Sequence, residues 1–178
     1  MVRLRKFVAY RNLERPYTRI SKYKKKSFIK TTPHIKVVRF NTGAANKQWD
    51  TTLHLIAKNS LQIRDNALES GRQTCNRLLE QNLGLTGYFM QLRPYPYHIL
   101  RENPLAQGAG ADRFSTGMQK SFGKPTGSAA RIMEGQIIVT VKVNKQNRGL
   151  AKKALERFSK KIPGSYMIQE EKPAAKAA

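Results

Sequence analysis

QIIVTVKVNKQNRGLAKKALERFSKKIPGSYMIQ, residues 136–169, carries the plainest structural signal in this chain. Ile137, Val139, Val141 and Val143 alternate with Gln136, Ile138, Thr140 and Lys142, the period-two pattern of a strand that buries one face. The period then changes. Leu150, Ala151, Ala154, Leu155, Phe158 and Ile162 fall on one stripe of a helix reaching to about Lys161. Asn144 or Asn147 is placed to cap that helix, Pro163 and Gly164 end it, and Ser165–Gln169 returns as a strand.

The same order of elements is readable upstream. Thr51–Ala57 alternates, with Leu53, Leu55 and Ala57 on one face and His54 and Ile56 on the other. Ser60 reads as the N-cap of a helix over Leu61–Asn82, whose broad apolar stripe is Leu61, Ala67, Leu68, Gly71, Cys75, Leu78 and Leu79. Gly84 is available to stop it. Tyr88–Arg93 reads as a strand and the proline-broken Tyr95–Leu100 as an extended edge piece. The expected fold class is α+β, with two strand–helix–strand units around one core. Residues 50–170 form a single body, preceded by a basic arm over 1–49 and followed by a flexible tail over 171–178.

Charge points to the partner. Lys and Arg number 34 against 11 Asp and Glu, a net charge of +23, so self-repulsion has to be offset by a polyanion. Within residues 1–49 a single acid, Glu14, faces fourteen bases, among them Arg3, Arg5, Lys6, Arg11, Arg15, Arg19, Lys22, Lys24, Lys25, Lys26 and Lys30. Phe7, Tyr10, Tyr17, Tyr23 and Phe28 are interleaved with them. Rings and guanidinium planes stack on unpaired bases while lysines neutralise phosphate, which favours RNA over duplex DNA. Asp65, Glu69, Gln73, Asn76 and Glu80 share the face of the first helix opposite its apolar stripe, and carboxylates there should turn away from nucleic acid.

Between Arg101 and Arg131 runs a long glycine-rich, charged segment without apolar periodicity, read as a loop shaped by its partner. Its glycines permit close backbone approach to phosphates, with Arg101, Arg113, Lys120, Lys124 and Arg131 as counter-charges. Glu102 and Asp112 flank it and are expected to brace it by pairing with Arg101, Arg113 or Lys120.

Several functions are disfavoured by what the residues lack. In GMQKSFGK, residues 117–124, five residues separate the glycines where a phosphate-binding P-loop has four, and Pro125 stands where a hydroxyl would hold magnesium. Gly108 and Gly110 lack the third glycine of a dinucleotide site. His34, His54 and His98 are scattered and Cys75 is the sole thiol, so no zinc ligand set exists. His54 suits a satisfied core histidine, whereas His98, beside Tyr95 and Tyr97, suits either RNA or core. No cofactor, metal, catalytic residue or small-molecule substrate is expected. The prolines within the basic stretches and the absence of a long apolar run argue against membrane binding.

RPYTR (15–19), LHLIAK (53–58), QIRDNALESGR (62–72), LRPYPYHILREN (92–103), GAGADR (108–113) and GMQKSFGKPTGSAAR (117–131) occur in this order. Together they resemble the large-subunit ribosomal protein family "L ten-e", the archaeal and eukaryotic branch of the universal "L sixteen" family; the short C-terminus is similar to archaeal members. The resemblance implies a hammerhead-type α+β fold without enzymatic activity, in the cytoplasmic ribosome. It implies large-subunit rRNA near the peptidyl-transferase centre, the tRNA acceptor arm and neighbouring ribosomal proteins as partners. The rRNA contacts would fall on Arg3, Arg5, Lys6, Arg11, Arg15, Tyr17, Arg19, Lys22, Lys24, Lys25, Lys26, Lys30, Lys120, Lys124 and Arg131. The tRNA-proximal loop would present Arg101, Glu102, Asn103, Gly108, Gly110, Asp112 and Arg113.

Overall fold

A computed structural model describes residues 5–18, 23, 25, 29, 33–103 and 123–171. Among the described residues eight strands and two α-helices succeed one another: β1 (Asn41–Gly43), β2 (Thr51–Ala57), β3 (Leu61–Arg64), α1 (Asp65–Leu83), β4 (Phe89–Leu92), β5 (His98–Glu102), β6 (Lys124–Ile132), β7 (Ile137–Val143), α2 (Arg148–Ser159) and β8 (Tyr166–Glu171). One five-stranded sheet runs β1-β4-β7-β2-β8 and a three-stranded sheet runs β3-β6-β5.

Every neighbouring pair is antiparallel. Strands β2 and β4 therefore run the same way with β7 between them, and β7 and β8 run the same way with β2 between them. The two strand–helix–strand units are split and interleaved, and neither can form a sheet without the other. The expected alternation is met by Val139, Val141 and Val143, which join Leu53, Leu55 and Ala57 of β2 and the helical residues Leu68, Cys75, Leu79, Ala154, Leu155 and Phe158 in the core. It breaks at a register shift opposite Leu55/Ile56, where Ile138 is buried and Ile137 only half-buried. Gly84 stops α1 in the left-handed region at φ 68°, its N–H donating to the Glu80 carbonyl. Burial pushes the Cys75 thiol up to about 12, so it is protonated and inert.

Where the structure departs from expectation, the cause is pairing across long sequence distances. Leu61–Arg64 is a strand and the helix begins at Asp65; Ser60 caps nothing, its Oγ accepting the Glu134 N–H at 3.0 Å. The LQIR alternation sends Leu61 and Ile63 into the core, while Gln62 and Arg64 point the other way and are also buried. The segment 101–131 is likewise not loop throughout. Arg101 and Glu102 end β5, Lys124–Arg131 lies within β6, and the Glu102↔Lys124 pair closes the base of what remains. Strand β6 has almost no hydrophobic signal because Gly127, Ser128, Ala129 and Ala130 are small; all four are buried. Their size reflects what presses on them. A Cβ on Gly127 would lie 3.3 Å from the Arg64 guanidinium, and Ser128 Oγ donates to Asp65 Oδ2 at 3.3 Å.

The helices meet at Gly71. A Cβ there would stand 2.9 Å from the ring of Phe158, which is itself fully buried and has nowhere to go. Gly71→Val should therefore cost about 1–3 kcal/mol by overpacking, visible as a lower urea midpoint at unchanged slope; an unaltered midpoint would show that the two helices are not in contact there.

Candidate nucleic-acid interface

Two stretches of the basic N-terminal region are held on the body by backbone donors. In the first, residues 5–18 lie along the three-stranded sheet. The Tyr17 N–H donates to His98 Nδ1 at 2.8 Å, and the Ile99 N–H returns a bond to the Tyr17 carbonyl at 3.2 Å. The Gln62 amide donates to the Asn12 carbonyl. The Arg5 guanidinium pairs with Glu102, its Nε 2.8 Å from the carboxylate. Cation–π contacts reinforce this strap, with Arg101 4.1 Å above the Tyr17 ring and Arg64 5.5 Å above Tyr10.

The second stretch, around Lys36–Val38, is held by the acids of α1. Asp65 Oδ2 accepts the Lys36 N–H at 3.1 Å and Glu69 Oε2 the Val38 N–H at 3.3 Å. The spacing explains the match: alternate amides of an extended chain repeat every ~6.7 Å, and carboxylates four residues apart on a helix are separated by ~6 Å of axial rise. Bonds from Arg72 Nη2 at 2.6 Å and Nε at 2.8 Å hold the Glu69 carboxyl below the usual carboxylate range, against the opposing effect of burial. On this face Asp65 and Glu69 are buried as acceptors for the basic segment's own backbone, whereas Glu80 is exposed.

The sequence-derived contact residues separate into groups. Arg11, Arg15 and Lys25 are exposed in the N-terminal region, as are Arg5 and Lys6 at the start of its described part. Lys124 is exposed at the start of β6 and Arg101 near the end of β5; Tyr17, Glu102, Asn103 and Arg131 are half-buried. Arg3, Arg19, Lys22, Lys24, Lys26, Lys30, Lys120, Gly108, Gly110, Asp112 and Arg113 lie outside the described residues. Glu102 pairs with Arg5, a partner from the other end of the chain that local spacing did not suggest. His98 is buried under Tyr17 and belongs to the scaffold, whereas Tyr95 and Tyr97 stay exposed. His54 is satisfied within the sheet, 3.1 Å from Thr140 Oγ1 and 3.2 Å from Glu171.

Sequence reading overlooked two features. Lys152, Lys153, Arg157, Lys160 and Lys161 are exposed on and just after α2, a basic face whose signal was present in the helical spacing. Gln62 and Arg64, assigned to a helix, instead form the floor of a cleft of about 1000 Å³ between the strap and the three-stranded sheet. Among the described residues no group of His, Cys, Asp and Glu is arranged to hold a metal.

The family described as ribosomal protein L16p/L10e matches residues 17–169. Among curated proteins, the chain is 43% identical over 151 residues to large ribosomal subunit protein uL16 of Picrophilus torridus, covering 84% of this chain and 86% of that one. It is 42% identical over 160 residues to the same protein of Methanococcus aeolicus, covering 90% of each. With that of Archaeoglobus fulgidus the identity is 42% over 163 residues, 92% of this chain and 90% of the relative.

The strap is sensitive to pH at a defined atom. By accepting the Tyr17 N–H, Nδ1 of His98 must be unprotonated. Burial lowers the His98 pKa, Glu14 opposes that, and Arg131 and Arg101 add to it. Because the folded value is depressed, the unfolded form binds the proton more readily. The contribution is whole above the ordinary histidine value of about 6.5 and is lost as pH falls below it. Exchange protection of the Tyr17 amide should therefore drop on acidification below that value and be lost at neutral pH in His98→Phe; protection that ignores both changes would remove His98 from the strap.

Proposed function

This chain belongs to the ribosomal protein L16p/L10e family, and from that premise we propose that its basic strap binds rRNA near the peptidyl-transferase centre while the segment between β5 and β6 faces the tRNA acceptor arm. As a member it is a structural, non-enzymatic protein of the large ribosomal subunit, at work in translation in the cytoplasmic ribosome. Its partners are rRNA and other ribosomal proteins.

The observation that supports the finer reading is the physical linkage of strap and loop base. Arg5–Glu102, Tyr17–His98 and Arg101–Tyr17 tie the N-terminal segment to β5, whose last residue pairs with the first of β6. Rigid support at that base restricts where residues 103–123 enter and leave the sheet, which is what a segment positioning a tRNA end requires. Cations that remain exposed on the same framework, Arg11, Arg15, Arg101 and Lys124, then meet phosphate. In this reading the chain works in three parts: an arm over 1–49, an α+β body of hammerhead type over 50–170 and a tail over 171–178. The arm residues Arg3, Arg19, Lys22, Lys24, Lys26 and Lys30 extend its RNA contacts. Gly108, Gly110, Asp112, Arg113 and Lys120 belong to the tRNA-facing segment.

Binding of the full chain to rRNA fragments should weaken steeply with salt, each neutralised phosphate adding about 0.7–0.9 to the slope of log affinity against log salt. The double variant Arg11→Ala, Arg15→Ala should lower that slope by about 1.5. Subunits carrying a deletion of Pro104–Ala111 should assemble yet accommodate tRNA slowly in a rapid-mixing assay. An unchanged slope would remove the strap from the RNA contact, and normal accommodation would remove the loop from the tRNA path.

A further inference from the structure

The cleft between the N-terminal strap and the three-stranded sheet is larger and more polar than a packing gap. Its floor is Gln62 and Arg64, on one face of β3; its walls include Tyr10, Tyr17 and Arg101. Gln62 is 2% exposed and Arg64 6%, so both are more than nine-tenths buried. Yet Gln62 Oε1 and Arg64 Nε have no hydrogen-bond partner, and neither does Asn103 Nδ2 at the rim. An unmet buried polar atom costs about 1–3 kcal/mol, and all three of these belong to residues that line this one cleft.

The unmet groups specify chemistry. Gln62 has committed its amide nitrogen to the Asn12 carbonyl, so what it offers the cleft is an acceptor, suited to a ligand N–H. Arg64 Nε and Asn103 Nδ2 offer donors, suited to a carbonyl or ring nitrogen. Donor and acceptor together on one short strand face match the edge of a heterocyclic base. Two tyrosine rings stand at the walls, each paired with a guanidinium, and such ring–guanidinium layers are what a flat base adds to by stacking. Four arginines against two glutamates in the lining leave the site positive, as a phosphate-bearing ligand requires. A volume of about 1000 Å³ lies at the upper end of what single-ligand pockets occupy, and leaves room for a sugar and phosphate beside the base.

We propose that this cleft receives a single nucleotide turned out of an RNA strand, its base edge read by Gln62 and Arg64 and its face stacked beside Tyr10 or Tyr17. The proposal rests on the rRNA-binding reading above and narrows it from a charged surface to one recognition pocket. The strap is then both wall and latch: the bonds of Asn12 to Gln62 and of Tyr17 to His98 and Ile99 shape the pocket before RNA arrives.

The full chain would be titrated with a five-nucleotide single-stranded RNA carrying one 2-aminopurine, with a duplex rRNA fragment in parallel. Binding should quench the 2-aminopurine. Gln62→Met and Arg64→Lys, which keep volume or charge, should weaken single-strand binding about tenfold and abolish the quench while leaving duplex affinity within about twofold. Because both positions are buried, Ala9→Trp serves as a second route: Ala9 is exposed and lines the cleft mouth, so a ring there blocks entry without disturbing β3. Quenching that persists in all three variants would overturn the pocket. Free adenosine or uridine monophosphate binding as tightly as the oligonucleotide would overturn RNA as the source. Failure of the unaltered chain to bind either RNA would instead reject the rRNA-binding reading on which the pocket depends.

Discussion

Strand β6 is central because of the volume it lacks. From Gly127 to Ala130 no side chain is larger than serine, and this allows the start of α1 and the side chain of Arg64 to approach it closely. Pairing with β3 on one side and β5 on the other makes β6 the middle of the second sheet. That sheet in turn carries the strap and the ends of the loop. A large residue at Gly127 would displace the Arg64 guanidinium, and with it the cleft floor and the contact to Tyr10.

A second principle is the use of scarce acid. With only 11 carboxylates against 34 bases, each buried acid has a marked effect on the local field. Asp65 and Glu69 accept backbone N–H groups of residues 36 and 38, and Glu102 pairs with Arg5. Carboxylates thereby fix the course of the basic chain and leave exposed cations such as Arg11, Arg15 and Lys124 for a polyanion. A protein with this charge balance gains order from its few acids and makes its external contacts with its bases.

The two halves of the molecule differ in how they are stabilised. Both sheets and the two helices share one continuous apolar cluster, from Leu53 on β2 through Ile63 on β3 and Ile132 on β6 to Phe158 on α2, and should fold as a cooperative unit. The strap is fixed by a few hydrogen bonds and ring contacts, with half-buried Phe7, Tyr10, Leu13 and Tyr17 its only apolar anchors among residues 5–18. Sparse burial places it at the low end of the local stability scale.

Local periodicity was sufficient for β2, β7 and α2, and for the apolar stripe of α1, because each buries a spaced set of its own residues, while the glycine stop of α1 and the return to β8 after Pro163 and Gly164 were legible from turn residues. Net charge alone implied a polyanionic partner. Nothing local revealed β3 or β6, whose pairings join Gln62 to Arg131 and Ile63 to Ala130 across the chain. Small residues carry no hydrophobic period, and four residues are too few to distinguish a strand from a helical turn. The roles of Asp65, Glu69 and His98 were hidden for the same reason: their partners are backbone N–H groups, which every residue except proline possesses. Sequence settled composition, charge and the regular core elements, while the second sheet, the strap and the cleft between them came into being only through contacts between residues distant in the chain.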